Sequence, residues 1–338
     1  MTGPAADAPA GGAGGTPAGA PAPPLLLGTN TCFAVKRWPE PARWAAVVAG
    51  DLGMATCQVT LDLFDPGLEM APSVAYAGEV RRACQAAGVA VHSLFTGLAA
   101  YSSNLLLHPE PAMRESAHRW FERAIELGAA AGARGVGGYL GALSVADAAD
   151  PARRRSLLAE LGTRLQRLAG RAGGAGLDHL QMENMAVRRE PGSVIEEMHE
   201  LELLAAGSAV PWVLCLDLGH PCALRTGSRS DDPLSWLAER WAHPPVLQIQ
   251  QANREGDHHW PFTDERNAEG LLAAGPVLAA LAAAEPVHAF FEVIHAPEAD
   301  DGTVLADLRR SADHWRAAMA GAAGAAGTAG AAPGNRVG

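Results

Sequence analysis

His179-Leu-Gln-Met-Glu183-Asn184 and Trp212-Val-Leu-Cys-Leu-Asp217-Leu-Gly-His220 flank a segment, Gly192–Leu204, with apolar residues at helical spacing. Two short apolar runs joined through a helix are the pattern of parallel strands with a crossover. Each run also stops at a carboxylate, which an apolar strand interior does not need.

Working outward, the same unit recurs. Strand candidates are Leu25–Thr31, Thr56–Asp62, Val89–Phe95, Gly135–Leu140, His179–Asn184, Trp212–Asp217, Val246–Gln250 and Ala289–Val293. Helical segments lie between them. Pro39 or Pro41 opens the first, Pro109 the one running through Phe121 and Leu127 to Gly128, and Pro151 the one carrying Leu157, Leu158, Leu161, Leu165 and Leu168. Eight such units predict an α/β fold, a single (β/α)8 TIM barrel. A doubly wound open sheet would carry a Gly-rich turn after its first strand, and Leu25-Leu-Leu-Gly-Thr-Asn-Thr-Cys-Phe has no G-x-G-x-x-G.

The chain has 338 residues, a net charge of −11 and five cysteines. Gly, Ala and Pro make up nearly all of residues 1–24 and most of 320–338. Neither end carries enough large apolar side chain to offset its ordering entropy, so both are expected as disordered tails around a barrel domain spanning 25–319. The acidic balance argues against nucleic acid, which requires a clustered cationic face. Five cysteines without C-x-x-C spacing, no secretory leader and no long apolar run predict a cytoplasmic protein with reduced thiols and no membrane span.

In a barrel the chemistry sits at the C-terminal ends of the strands. Four late strands end in polar residues: Glu183, Asp217, the pair Gln248 and Gln250, and Glu292. Three carboxylates converging on one mouth repel one another unless a cation lies among them. Glu183, Asp217, the Gln248 side-chain carbonyl and Glu292 form an all-oxygen donor set that suits Mg2+ or Mn2+ better than Co2+ or Zn2+.

The run Glu183…Asp217-Leu-Gly-His220…Gln248-Ile-Gln-Gln-Ala-Asn-Arg254…Glu292 resembles the xylose-isomerase-like TIM-barrel sugar isomerases and epimerases over essentially Leu25 to Met319. The opening Cys32-Phe-Ala-Val-Lys36-Arg37-Trp38-Pro and the loop Asp257-His258-His259-Trp260-Pro-Phe262-Thr are similar to a subgroup that includes D-apiose isomerases. The resemblance implies a metal held by Glu183, Asp217 and Glu292, with Gln248 standing where the family usually has His. It implies that Glu183 and Glu292 exchange protons with substrate, and that His220 and Arg254 touch it. Gln250 and Asn184 are further candidates for sugar hydroxyls, with Phe33, Trp38, Trp260 and Phe262 as apolar walls. Of the adjacent His258 and His259, at most one should face the site, because neighbours on an extended segment point apart. The Thr96–Leu107 stretch, with Tyr101, Ser102, Ser103 and Asn104, is long for a βα loop and is a candidate lid.

The implied activity is aldose–ketose isomerisation of a small, unphosphorylated sugar such as apiose, by proton transfer through an enediolate. A ketose 3-epimerase or a sugar-phosphate isomerase would use the same site. Arg188, Arg189, Lys36 and Arg37 raise the phosphate question without answering it. A dehydratase and a non-catalytic sugar-binding protein remain alternatives. The resemblance also implies a homo-oligomer, a dimer or tetramer.

Overall fold

The computed structural model describes residues 25–282 and 285–329. Eight parallel strands close into a barrel: β1 (Leu25–Asn30), β2 (Thr56–Thr60), β3 (Ala90–Phe95), β4 (Gly135–Gly138), β5 (His179–Glu183), β6 (Trp212–Asp217), β7 (Val246–Ile249) and β10 (Val287–Phe291). Strand β10 pairs with both β7 and β1 and so closes the ring. Every expected strand is present, with ends displaced by two residues at most. The α/β barrel is therefore as the sequence indicates.

Between β7 and β10 lies an element that the sequence reading treated as loop. It is an antiparallel hairpin of β8 (Gln251–Asn253) and β9 (Gly256–Trp260), with Asn253 opposite Gly256 and Arg254-Glu255 as its turn. Asn253 Oδ1 accepts from the Glu255 backbone N–H at 2.8 Å and fixes that turn.

Helices surround the barrel and bury their apolar faces on it. Leu157, Leu158, Leu161, Leu165 and Leu168 of the helix Pro151–Gly174 are all at most 2% exposed. Asp150 caps that helix, accepting from the backbone N–H groups of Ala152 and Arg153. Trp44, Trp236 and Trp315 fill the layer between helices and strands.

The lumen differs from a simple aliphatic filling. Gln58 on β2 donates to Gln181 on β5, strands that are not neighbours, so both side chains cross the interior. Asn30, Gln58, Ser93, Gln181 and Gln248 are all buried there, and their amides and the Ser93 hydroxyl bond one another. Buried amides are tolerable on this condition alone.

The C-terminal helix, Asp301–Ala329, continues past Met319, where the tail was expected to begin. Alanine has the highest helix propensity of any residue, so an Ala-rich stretch following a packed helix extends it. Residues 1–24 and 330–338, the rest of both expected tails, lie outside the described residues. All five cysteines are free. Among the described residues no helix is long and apolar enough to cross a membrane.

Candidate active site

The C-terminal mouth of the barrel holds a cavity of about 190 Å3 lined by Glu183, His220, Asp257, His259 and Glu292 on one side. Thr60, Asp62, Gly97, Leu98, Tyr101 and Tyr139 line the other. Glu183 ends β5, Asp217 ends β6, and Glu292 follows the last residue of β10. Their carboxylate oxygens lie within 4.8 Å of one another, and all three residues are buried. Gln248 is in register with Asp217 on the adjacent strand, so both side chains leave the sheet on its inner face.

Two oxygens in this group lack a partner. Asp217 Oδ1 accepts from the backbone N–H groups of Gly219 (2.6 Å) and His220 (3.3 Å), but Oδ2 is buried without a hydrogen bond. Gln248 Nε2 donates to Gln58 Oε1 at 2.8 Å, and its own Oε1 is equally orphaned. Buried acceptors without donors are rare and require explanation.

The carboxylates titrate as their setting demands. Burial raises Glu183 well above the usual range, with Glu292 and Asp217 adding to the rise and His220 opposing it. Burial likewise pushes Glu292 up to about 8, against the pull of His259.

Two imidazoles complete the wall. His220 Nδ1 faces Asn184 O at 2.6 Å while its Nε2 faces Asp257 Oδ2 at 3.1 Å. His259 Nδ1 faces Glu292 O at 3.1 Å while its Nε2 faces the same Asp257 oxygen at 3.1 Å. Asn184 O and Glu292 O are acceptors, so each ring donates from Nδ1, and each turns Nε2 to the shared Asp257 oxygen, a setting that favours the charged form of both. The shifts agree. Burial opposes charge on His259, but Asp257, Glu292 and Asp217 outweigh it and lift the ring to about 10. His220 is raised well above its ordinary value by Asp217, Asp257 and Glu183, which overcome its burial.

Asp217, His220 and His259 also bring one ligand atom each within 4.8 Å of one another. Both ring nitrogens of each His already face a protein oxygen, whereas Asp217 Oδ2 and Gln248 Oε1 have no hydrogen-bond partner. Four carboxylates, Glu183, Asp217, Asp257 and Glu292, against two imidazoliums leave an excess of two negative charges when all are ionised.

Several residues named from the sequence are placed elsewhere. Gln250 spends its amide on the hairpin, donating to Asp257 Oδ1 and accepting from the His259 backbone N–H, so it is not free for sugar. Asn184 brackets Asp217, accepting from its N–H at 2.7 Å and donating to its carbonyl at 3.0 Å. Arg254 sits on the hairpin turn and donates to Leu224 O at 2.8 Å, outside the cavity. Phe33 and Trp38 pack edge to face on each other, 6.2 Å between centroids, and line no part of it. Trp260 stacks on His258 at 3.8 Å on the outer side of the hairpin. Phe262 is core, against Phe291 and Trp315. The expected aromatic wall is supplied instead by Tyr101 and Tyr139, whose rings meet at 5.0 Å.

Of the paired histidines, His259 faces the cavity. Its backbone is left-handed, with φ of 50°, a conformation that turns the strand's alternation and aims the ring inward. Asp257 and Asp62 were missed as site residues. Asp257 carried a signal, an acid two residues before a histidine on a β-period segment. Asp62 lies in a short turn after β2 (Leu61–Leu63) and was read as strand.

Asp62 joins two loops over the cavity. It accepts from the backbone N–H groups of Leu98 (2.9 Å) and Ala99 (2.7 Å) and from the Thr60 hydroxyl (3.0 Å). Gly97 is required beside it, having φ of +72° and room for a Cβ only 2.4 Å from Thr60 Oγ1.

With this geometry in place, the comparisons with known proteins are decisive about family. The chain is 31% identical to D-erythrulose 1-phosphate 3-epimerase of Brucella abortus over 261 residues, 76% of this chain and 84% of that protein. It belongs to the xylose-isomerase-like sugar isomerases and epimerases. This isomerase also superposes on a Rhodospirillum rubrum protein assigned to the xylose isomerases, with a TM-score of 0.82 and 31% identity over 87% of this chain and 99% of that one. An L-ribulose 3-epimerase matches the isomerase with a TM-score of 0.64 at 16% identity, over 92% and 99% of the two chains, and shares the fold. No family model matches the isomerase's sequence.

Proposed function

We propose that this isomerase is a divalent-metal-dependent ketose 3-epimerase for a short, unphosphorylated sugar, with Glu183 and Glu292 as its two proton carriers. The observation that carries this reading is the pair of buried carboxylates on β5 and after β10, grouped around Asp217 within 4.8 Å. The 3-epimerase named among its relatives supports the reaction type.

The donor set fits a hard divalent cation. The orphaned Asp217 Oδ2 and Gln248 Oε1, with Glu183 and Glu292, offer oxygen alone, and the excess of two negative charges matches one such ion. Mg2+ or Mn2+ suits this set, and Co2+ or Zn2+ suits it less well. When bound, the ion would polarise the substrate's carbonyl and adjacent hydroxyl oxygens and so acidify the C–H between the carboxylates.

Glu183 or Glu292 removes that proton and leaves an enediolate, and the other carboxylate returns a proton to the opposite face, which inverts the carbon. Carboxyl groups held above their ordinary range, as both are here, are suited to giving as well as taking protons. The imidazoliums of His220 and His259 place positive charge beside the developing enediolate oxygens.

Two observations support a small neutral sugar. A volume of about 190 Å3 lies below the roughly 300–1,000 Å3 of pockets for larger ligands. Among the described residues no Lys or Arg lines it, and Asp62 occupies the Leu98 and Ala99 N–H groups that a phosphate could have used. Arg37 is committed to Ala299 O and Asp301, and Arg188 to Ser193 and Glu197.

A second reading, aldose–ketose isomerisation of a sugar such as apiose, is supported by the Rhodospirillum similarity. One experiment separates them: C4 to C6 ketoses and aldoses, free and phosphorylated, are incubated with enzyme and Mn2+ in D2O. Deuterium at C3 of an epimerised free ketose is expected. Label at C1 of a ketose or C2 of an aldose would favour the isomerase instead. Turnover of phosphate esters tenfold faster than of free sugars would overturn the neutral substrate.

A further inference from the structure

The orientation of the Gln248 amide is set by a chain of hydrogen bonds that begins at a backbone group. The Cys32 N–H donates to Asn30 Oδ1 at 2.9 Å, so Asn30 must present its NH2 group to the lumen. Asn30 Nδ2 donates to Gln58 Oε1 at 3.0 Å and to Glu292 Oε1 at 3.3 Å. Gln58 therefore turns its oxygen toward Asn30 and its NH2 toward Gln181 Oε1 (3.3 Å) and Ser93 Oγ (3.4 Å). That same Gln58 oxygen accepts from Gln248 Nε2, and this leaves Gln248 Oε1 as the buried end without a partner.

We infer that Gln58 is a positioning residue that selects the amide rotamer of Gln248, presenting its oxygen and not its NH2 group to the cation site. An amide turned the other way would aim a donor at a cation. The two ends of a glutamine amide have the same shape, and among the described residues the hydrogen bond that tells them apart is the one to Gln58. Asn30 carries the same chain to Glu292, so one lumen glutamine, 0% exposed, sets the direction of one cation donor and contacts the partner that holds another. Groups one bond beyond a metal's ligands commonly control affinity in this way.

The inference rests on Gln248 as a cation donor, and the experiment tests the two separately. Mn2+ affinity of chelator-treated protein is measured by calorimetry. Gln248→Leu should weaken Mn2+ binding, and unchanged affinity would remove both the donor and the inference built on it. Gln58→Met, which fills the volume without an acceptor, should weaken binding by roughly 10–100-fold. In a Gln248→Glu background, where a carboxylate has no wrong end, Gln58→Met should change affinity by about twofold or less. An equal loss in both backgrounds would show a merely structural role and overturn the inference. Gln58→Glu keeps the acceptor but loses the donor to Gln181 and Ser93, so it is read only where circular dichroism shows a folded variant. It should bind Mn2+ at least as tightly as the parent, and a tenfold loss would equally overturn the inference.

Discussion

Asp257 Oδ2 lies 3.1 Å from His220 Nε2 and so ties the hairpin beyond β7 to the end of β6. The same oxygen holds His259, so one carboxylate on the hairpin contacts both rings of the cavity wall. Removing it should weaken proton binding by both rings. In Asp257→Asn, metal-free, the His259 ring should titrate below its present value near 10, because Glu292 and Asp217 alone then oppose burial. We expect kcat/KM to fall by roughly 10–100-fold. Side-chain nitrogen chemical shifts of labelled histidine report the change, and an unshifted His259 midpoint in the variant would contradict it.

Cation binding should release protons. Glu183 and Glu292 are held above the usual carboxylate range by burial and by neighbouring carboxylates, and a divalent ion beside them must drive both back down. Between pH 5 and 7, calorimetry in buffers of different ionisation enthalpy should therefore detect proton release on Mn2+ binding, reduced in Glu292→Gln. Glu183→Gln and Glu292→Gln should each slow solvent deuterium exchange into bound ketose by about 10²–10⁴-fold while the circular dichroism spectrum is retained. Parent-like exchange in either variant would exclude that residue as a proton carrier.

The far end of the barrel should make the protein acid-labile. His92, beside His288 at 4.5 Å and His179 at 5.4 Å, is held down to about 2, chiefly by burial, and His179 to about 4 for the same reason. Both are neutral when folded but have an ordinary value of 6.5 when unfolded, so from pH 6.5 downward the unfolded chain binds protons that the folded one refuses. The stability they contribute is present above pH 6.5 and is lost as pH falls toward 4 for His179 and toward 2 for His92. Each adds a slope of about 1.4 kcal/mol per pH unit within its window. Urea unfolding of His92→Leu beside the parent should show the difference in stability shifting toward the variant by about that amount per unit of acidification. Parallel curves would refute it.

Much of the site was legible because strand ends are legible. Glu183, Asp217, Gln248 and Glu292 each interrupt an apolar run, and polar residues at such positions have no packing reason to exist. His220 followed from its spacing to Asp217. Arg254, Gln250 and Asn184 were polar and close in sequence to these residues, yet each spends its hydrogen bonds on the scaffold. Proximity in sequence carries no information about which way a side chain points once a hairpin forms.

The sequence by itself determined the barrel and the carboxylates at its mouth, because alternating strand and helix periods and polar strand ends are local patterns. Tertiary structure alone decided which residues complete the cavity. His259 enters through its own left-handed backbone on the hairpin and Asp62 through a turn that reaches a neighbouring loop, while beneath the cavity Gln58 makes contacts across the lumen to β1, β5 and β7. The physical reason is the same in each case. A hydrogen bond across a closed barrel depends on the register of strands far apart in sequence, and register is set by closure of the whole ring.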